Sequence, residues 1–263
     1  MNKIIDQNYL KNGQYKNSDN LNARIFIHQR YSTNQYGWYR WEFEHLQVQP
    51  GERILDIGCG PAELWKSQIK RLPNKAELVL CDLSRGMAAA AKSATSGNSV
   101  LCCAADAQHI PFESESFDLV TANHMLYHVP DIQCAVAEIR RVLRPGGRLV
   151  AATNGLDHMK ELTDLIRSMA PDYKPGGDSA KRFGLENGQA QLATYFPDTQ
   201  VQIYEDALFV TDAEPMVDYI ASMWWYAEWN EDLRKQVTDQ VEAQIRSHGG
   251  FRIQKSSGVI SAR

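Results

Sequence analysis

From Glu52 onward the chain alternates short apolar runs with stretches of helical period. R-I-L-D-I, Arg53–Ile57, is bounded by a Gln49-Pro50-Gly51 turn and by glycines, and it predicts a short buried strand. A helix over Ala62–Arg71 follows, then a Pro73-Asn74 turn, a strand Glu77–Cys81, a helix from about Ser84 to Ala94 and a strand Ser99–Ala104. A loop from Asp106 to Glu115 leads into strand Phe117–Thr121. Ile132, Ala135, Val136, Ile139 and Leu143 share one face of a helix Ile132–Leu143, with Asp131 as its N-cap. Pro145-Gly146-Gly147 stops that helix, and Arg148–Thr153 makes a fifth strand. Strands alternating with helices predict right-handed crossovers and a mostly parallel sheet with helices on both faces.

On either side of this block the pattern loosens. Residues 1–20 are polar and rich in Asn, with Tyr9 and Tyr15 as candidate anchors, and read as a mobile arm. Helical pieces are expected around Leu21–Arg30 and Trp38–Leu46. Tyr31, Tyr36, Trp38, Tyr39, Trp41 and Phe43 crowd this region, as packing for the core or as a lid over a bound ligand. After Thr153 a helix Asp157–Met169, a turn-rich loop Pro171–Gly177 and a short helix within Gly184–Ala193 are expected. Strands Gln200–Tyr204 and Ala207–Thr211 come next. Thr211 and Glu214 have capping-box spacing for a helix carrying Met216, Val217, Ile220 and Trp224 on one face. A more polar helix Glu231–Ser247 precedes a last strand, Phe251–Ser261.

Composition narrows the partners. A net charge of −4 with no Lys/Arg-rich block argues against nucleic acid. The N-terminus lacks the apolar core of a signal peptide and no run is long enough to span a bilayer, so a cytoplasmic protein without membrane partners is expected. The five cysteines, Cys59, Cys81, Cys102, Cys103 and Cys134, lack C-x-x-C spacing and have no His at metal-site spacing. They read as reduced thiols packed mostly on strands and helix faces, and no metal is expected.

The chemistry collects at strand ends, where open α/β sheets bind ligands. Strand one ends in Asp56 and the turn Gly58-Cys59-Gly60, which brings a nucleotide-like ligand close to the backbone. A dinucleotide fingerprint would place Gly or Ala at Glu63, so the glycines alone are weak evidence. Strand two ends in Asp82, about twenty residues on, where an acid can accept from both ribose hydroxyls. Strand three offers Asp106, placed to accept from an exocyclic amine, and strand four offers Asn123-His124-Met125.

With these pieces in register, the chain resembles the class I S-adenosylmethionine-dependent methyltransferases, small-molecule type, related to the quinone-biosynthesis enzymes. The segments carrying the likeness are L-D-I-G-C-G-P, L-C-D-L-S, A-A-D-A-Q-H-I-P-F-E-S-E-S-F-D-L-V and R-R-V-L-R-P-G-G-R-L, within about residues 50–153. The resemblance implies a Rossmann-like seven-stranded sheet with its last pair antiparallel. It also implies a methyltransferase domain over 50–263, a lid and arm over 1–49, and a cap insertion at about 155–196. S-adenosylmethionine would be the cofactor, with S-adenosylhomocysteine as product. Asp56, Gly58, Cys59 and Gly60 would cradle its methionine part, and Asp82 its ribose. Leu83 and Met87 would lie against the adenine, Asp106 and Ala107 at its amine, and Asn123 near the sulfonium. A third glycine, common at Pro61-Ala62, is absent here, which leaves the local backbone path open.

A small-molecule methyl acceptor would need alignment, exclusion of water and, for a hydroxyl or acidic carbon, a base. His124 and His128 in N-H-M-L-Y-H-V-P-D are the candidate bases, and alternatively line the wall or cap a turn. His28, Tyr31 and Trp38 are candidate lid contacts with the substrate. Met223-Trp224-Trp225-Tyr226 reads either as core or as the wall of an apolar acceptor pocket, with Trp224 its candidate contact. Two other readings stay open: a nicotinamide-dependent dehydrogenase, and a protein that binds the cofactor without methyl transfer. Acceptor identity, the atom methylated and the oligomeric state are not legible in the sequence.

Overall fold

The run Arg53–Ile57 (β1) is buried beyond its first residue because it lies between two parallel neighbours, Glu77–Asp82 (β2) and Phe117–Thr121 (β4). Val100–Ala104 (β3) pairs with the far side of β2. The computed structural model describes residues 3–170, 178–223 and 230–263. Leu143–Asn154 (β5) is parallel to β4, and its outer neighbour Ser257–Ala262 runs antiparallel both to β5 and to Thr199–Tyr204 (β6). With Ala207–Val210 as β7, Phe251–Gln254 as β8 and Ser257–Ala262 as β9, the main sheet has the order β3-β2-β1-β4-β5-β9-β6. The chain leaves β1 toward β2 and β3 and returns on the other side as β4, so the crevice beyond β1 and β4 is the topological switch point.

Helix ends follow local chemistry. Ser84 and Asp131 cap Arg85–Ala94 and Ile132–Val142 by accepting from the third residue on, Met87 N and Cys134 N. Ala135, Val136, Ile139 and Val142 are buried against the sheet. The expected Thr211 cap is not formed as predicted: the helix begins at Ala213, and the Thr211 hydroxyl donates to Asp212 instead.

Three expectations need correction. The predicted last strand Phe251–Ser261 is two strands broken at Lys255-Ser256. Its first half pairs with β7 in a separate two-stranded ribbon, which takes predicted strand Ala207–Thr211 out of the main sheet. The predicted cap at 155–196 also divides. Lys160–Met169 joins a second apolar core with β7, β8, Asp19–Tyr31 (α1) and the helices Ala213–Met223 and Glu231–His248. Phe183, Leu192 and Phe196 pack instead into the core of the main sheet. The N-terminal arm, expected to be mobile, is a helical turn Lys3–Ile5 followed by helical residues Gln7 to Gln14, capped by Asp6, with Ile4 and Leu10 buried.

Trp38–Leu46 (α2) packs Phe43 and Leu46 on the sheet face formed by Ile54, Leu119 and Val150. Its end is fixed by Arg148, whose guanidinium donates to Leu46 O and Gln47 O and to both Glu52 carboxylate oxygens. All five cysteines are free; Cys81 is buried and Cys59, Cys102, Cys103 and Cys134 are partly buried. Among the described residues no helix is long and apolar enough to cross a membrane.

Candidate active site

The chain leaves β1 through a turn that only small residues can follow. Gly58 has φ +78° and Gly60 φ +55°, and the N–H groups of Gly58 and Cys59 both donate to Cys81 O, at 2.7 and 3.0 Å. A Cβ on Gly58 would meet the Met125 side chain at 2.7 Å. Ala62, where a third glycine is common, adopts the left-handed conformation itself, with φ +61°. Ala is the smallest residue with a Cβ to accept that strain, so the backbone path is kept.

Asp82 secures the turn. Its Oδ2 accepts from Gly60 N at 2.9 Å and its Oδ1 from Ser84 N at 2.8 Å, leaving one lone pair on each oxygen for a diol. Asp106 is held by Gln108 N at 2.9 Å and takes Gln7 Nε2 from the arm at 2.7 Å. Asp56, Gly58, Cys59, Gly60, Leu83 and Met87 line one cavity of about 1170 Å³. Asp82, Asp106, Ala107 and Asn123 line it too, so every expected cofactor residue is brought together there. The Cys59 thiol lies within the turn with its pKa raised by burial, as expected of a packing group.

Several polar atoms around this cavity lack partners. Asp56 Oδ2 accepts from Trp65 Nε1 at 2.6 Å, but Oδ1 is buried and unpaired, as are Asn123 Oδ1 and Glu42 Oε1. Asp56 is 2% exposed and Glu42, on α2, 1%. Burial pushes their carboxyls up to about 7 and about 8, and the Asp56 charge adds to the rise at Glu42. These two carboxyls therefore hold protons that an unfolded chain would release, and folding stability should fall as pH rises from about 4.5 to 8. Glu42→Gln is expected to flatten that slope; thermal midpoints measured at pH 5 and pH 8 check it.

The two candidate bases differ. His124 leaves β4 with φ +52° and its N–H on Ala152 O, and its ring lies 5.5 Å from that of Trp38, centroid to centroid. Burial, and then the charge of Lys255, lower its pKa to about 4, so it is a neutral imidazole at pH 7. His128 is engaged on both sides by the arm. Its Nδ1 lies 2.9 Å from Ile4 O, so this nitrogen donates and Nε2 accepts from the Tyr15 hydroxyl at 3.0 Å. With both nitrogens engaged, His128 holds the arm, and it offers an incoming acceptor no free nitrogen while the arm is in place.

Among the lid candidates, His28 and Trp38 line the cavity. Tyr31 does not: it is buried in the second core and its hydroxyl donates to Asp212 Oδ2 at 2.8 Å. Trp224 lies outside the described residues. The arm closes the cavity from above, with Tyr15 O accepting from the Ser84 hydroxyl at 2.8 Å. Lys16 O approaches Gly86 so closely that a Cβ there would lie 2.1 Å from it. Gly86→Ala is thus expected to lift the arm, giving faster limited proteolysis within residues 3–18 than in the wild type. Sequence reasoning missed Glu42 and Arg24, and it missed that the arm is ordered against the cavity. The signal available was helical spacing: Trp38 and Glu42, and Arg24 and His28, are each one turn apart on predicted helices.

Residues 55–151 match the family model described as a methyltransferase domain. A demethylmenaquinone methyltransferase from Corynebacterium efficiens is 36% identical over 115 residues, covering 44% of this chain and 47% of that protein. The chain thus matches about half the length of such curated relatives. A putative methyltransferase from an antibiotic biosynthesis pathway of Anabaena variabilis superposes with a TM-score of 0.64 at 15% identity, over 86% of this chain and 96% of that one. The Haemonchus contortus phosphoethanolamine N-methyltransferase 2, solved with phosphomonomethylethanolamine and S-adenosylhomocysteine, gives 0.59 at 18% identity, over 98% and 59%. At these identities the structures establish the shared fold.

Proposed function

We propose that this chain, whose residues 55–151 match a methyltransferase domain, transfers a methyl group from S-adenosylmethionine to a small molecule. The observation that carries the reading is the Asp82 carboxylate, fixed by two backbone N–H groups beside the glycine turn with a lone pair left on each oxygen. Asp106 would receive the adenine amine in place of Gln7, and Leu83, Met87 and Ala107 would flank the ring. Gly58, Cys59 and Gly60 would give the backbone surface for the methionine part. The unpaired carboxylate oxygens of Asp56 and Glu42 suit a cationic group, and Asn123 Oδ1 is a further unpaired acceptor. When bound, the cofactor supplies an already activated methyl group on a sulfonium.

The chain's own part is to bind, orient and keep water out. The arm, α2 and the second apolar core would cover the cavity as lid and cap, with Trp38 and His28 facing the acceptor. His124, neutral at pH 7 and with its pKa at about 4, would accept a hydrogen bond and orient the acceptor; it is a weak base. An acceptor that reacts here would therefore arrive as an oxyanion or a neutral amine. Free thiols support a reducing, cytoplasmic setting, and the net charge of −4 supports a small molecule over nucleic acid.

Calorimetric titration with S-adenosylmethionine, S-adenosylhomocysteine and NADH tests the reading. Binding of the two sulfur compounds alone is the expected result, followed by release of S-adenosylhomocysteine in the presence of an acceptor. Binding of NADH alone would replace methyl transfer by the dehydrogenase reading. Tight cofactor binding without turnover over a broad acceptor panel would favour a non-transferring role.

A further inference from the structure

The cavity contains a guanidinium to which methyl transfer assigns no task. Arg24 lies on α1 one turn after Leu21, which covers the glycine turn at 3.5 Å from a Cβ built on Gly60. It lies one turn before His28, and both line the cavity. Arg24 Nε donates to Asn20 O at 3.1 Å, but Nη2 is closed off from solvent and unpaired, as is His28 Nδ1. No ion pair among the described residues involves Arg24.

Its neighbours provide no countercharge. The Tyr15 ring centre lies 5.6 Å from Arg24 Cζ, and Tyr127, His128 and Tyr219 lie within reach of its charge. Tyr219 also meets the His28 ring edge-on, at 5.8 Å. Phenols and imidazoles can hydrogen-bond to an anion but do not neutralise a guanidinium. The unpaired carboxylates of the cavity belong to β1 and α2. Arg24 is half-buried, but a guanidinium nitrogen closed off from solvent with no partner is costly, and the planar fork matches a carboxylate or aryl oxyanion.

We infer that Arg24, with His28 one turn along α1, is the anion receptor of this cavity and takes a carboxylate or other oxyanion of a bound small molecule. The inference rests on the methyl-transfer reading for which molecules enter. Two sources share this chemistry: the carboxylate of the cofactor's methionine part, and an oxyanion on the acceptor, whose flat body would suit the Tyr15, Tyr127 and Tyr219 rings.

The experiment compares wild type, Arg24→Gln and Arg24→Lys by calorimetry. The probes are S-adenosylhomocysteine, 5′-methylthioadenosine (which lacks the carboxylate), 2-naphthoate and its neutral isostere 2-naphthamide. Loss of roughly tenfold or more in S-adenosylhomocysteine affinity in Arg24→Gln, with methylthioadenosine unchanged, supports the inference and identifies the cofactor carboxylate as the anion. Unchanged S-adenosylhomocysteine binding, together with loss of a roughly tenfold preference of the loaded protein for naphthoate over naphthamide, supports it and identifies the acceptor. Arg24→Lys should recover part of either effect. A folded Arg24→Gln, by thermal midpoint, that changes neither quantity overturns the inference. If wild type binds no S-adenosylhomocysteine, the methyl-transfer reading fails separately. The naphthoate preference of the free protein then decides on Arg24 alone: its loss in Arg24→Gln upholds the receptor, and its absence in wild type overturns it.

Discussion

Asp82→Ala is expected to weaken S-adenosylhomocysteine binding by two orders of magnitude or more. A hydrogen bond to a charged group contributes about 1.5–3 kcal/mol, and two ribose hydroxyls would each donate to this carboxylate, giving about 3–6 kcal/mol in all. A second effect adds to the first. The carboxylate also receives Gly60 N and Ser84 N, so its removal releases the backbone on both sides of the site. Asp82→Asn separates the two contributions, because a carboxamide keeps one acceptor oxygen and the side-chain volume; it should fall between wild type and alanine. Calorimetric Kd values for the three proteins, with thermal midpoints as a check on folding, test this. Wild-type affinity in a folded Asp82→Ala would remove the ribose assignment.

The central sheet was legible because its signals are local. A strand buried on both faces must be an apolar run, as Arg53–Ile57 and Phe117–Thr121 are, and a turn that brings backbone close to a ligand must carry glycine, as at Gly58 and Gly60. Asp131 was legible as a cap for the same reason, since its partner Cys134 N is three residues away. What could not be read depends on partners remote in sequence. His128 resembles a base until Ile4 and Tyr15, more than a hundred residues earlier, occupy both its nitrogens. Tyr31 resembles a lid residue until Asp212 takes its hydroxyl. The polar arm is ordered by two small apolar anchors, Ile4 and Leu10, which a compositional reading outweighs with Asn and Lys. Glu42 has no sequence signal of burial, because glutamate on a predicted helix is ordinarily solvated. The division of Phe251–Ser261 into two strands falls at a buried lysine, Lys255, and that lysine gives the second large expected effect.

Lys255→Met is expected to destabilise the protein by about 3–5 kcal/mol, the usual result of removing one partner of a buried ion pair. Lys255 is 8% exposed and Asp206 5%, with Nζ and Oδ2 2.6 Å apart. The carboxylate ties distant segments together: it accepts from the Ser32 hydroxyl at 2.9 Å, from Asn34 N at 3.1 Å and from Ala207 N at 2.8 Å. Lys255 N in turn donates to Asp206 O at 3.1 Å, at the point where the chain passes from the ribbon to the main sheet. Removing the ammonium leaves an uncompensated buried charge at the junction of the loop after α1, β7 and β9. The double variant Lys255→Met/Asp206→Asn keeps the hydrogen-bond acceptor and removes that charge, so it should recover a large part of the loss. Urea unfolding of wild type, single and double variants measures both quantities, and a single variant within about 1 kcal/mol of wild type would show that the pair contributes little. The double variant also probes the site. Burial lowers the pKa of His124 most, and the Lys255 charge lowers it further, so a folded protein without that charge should titrate His124 at higher pH. An NMR titration of its ring protons reads this directly, and the acid limb of any measured transfer activity that depends on a neutral His124 should move up with it.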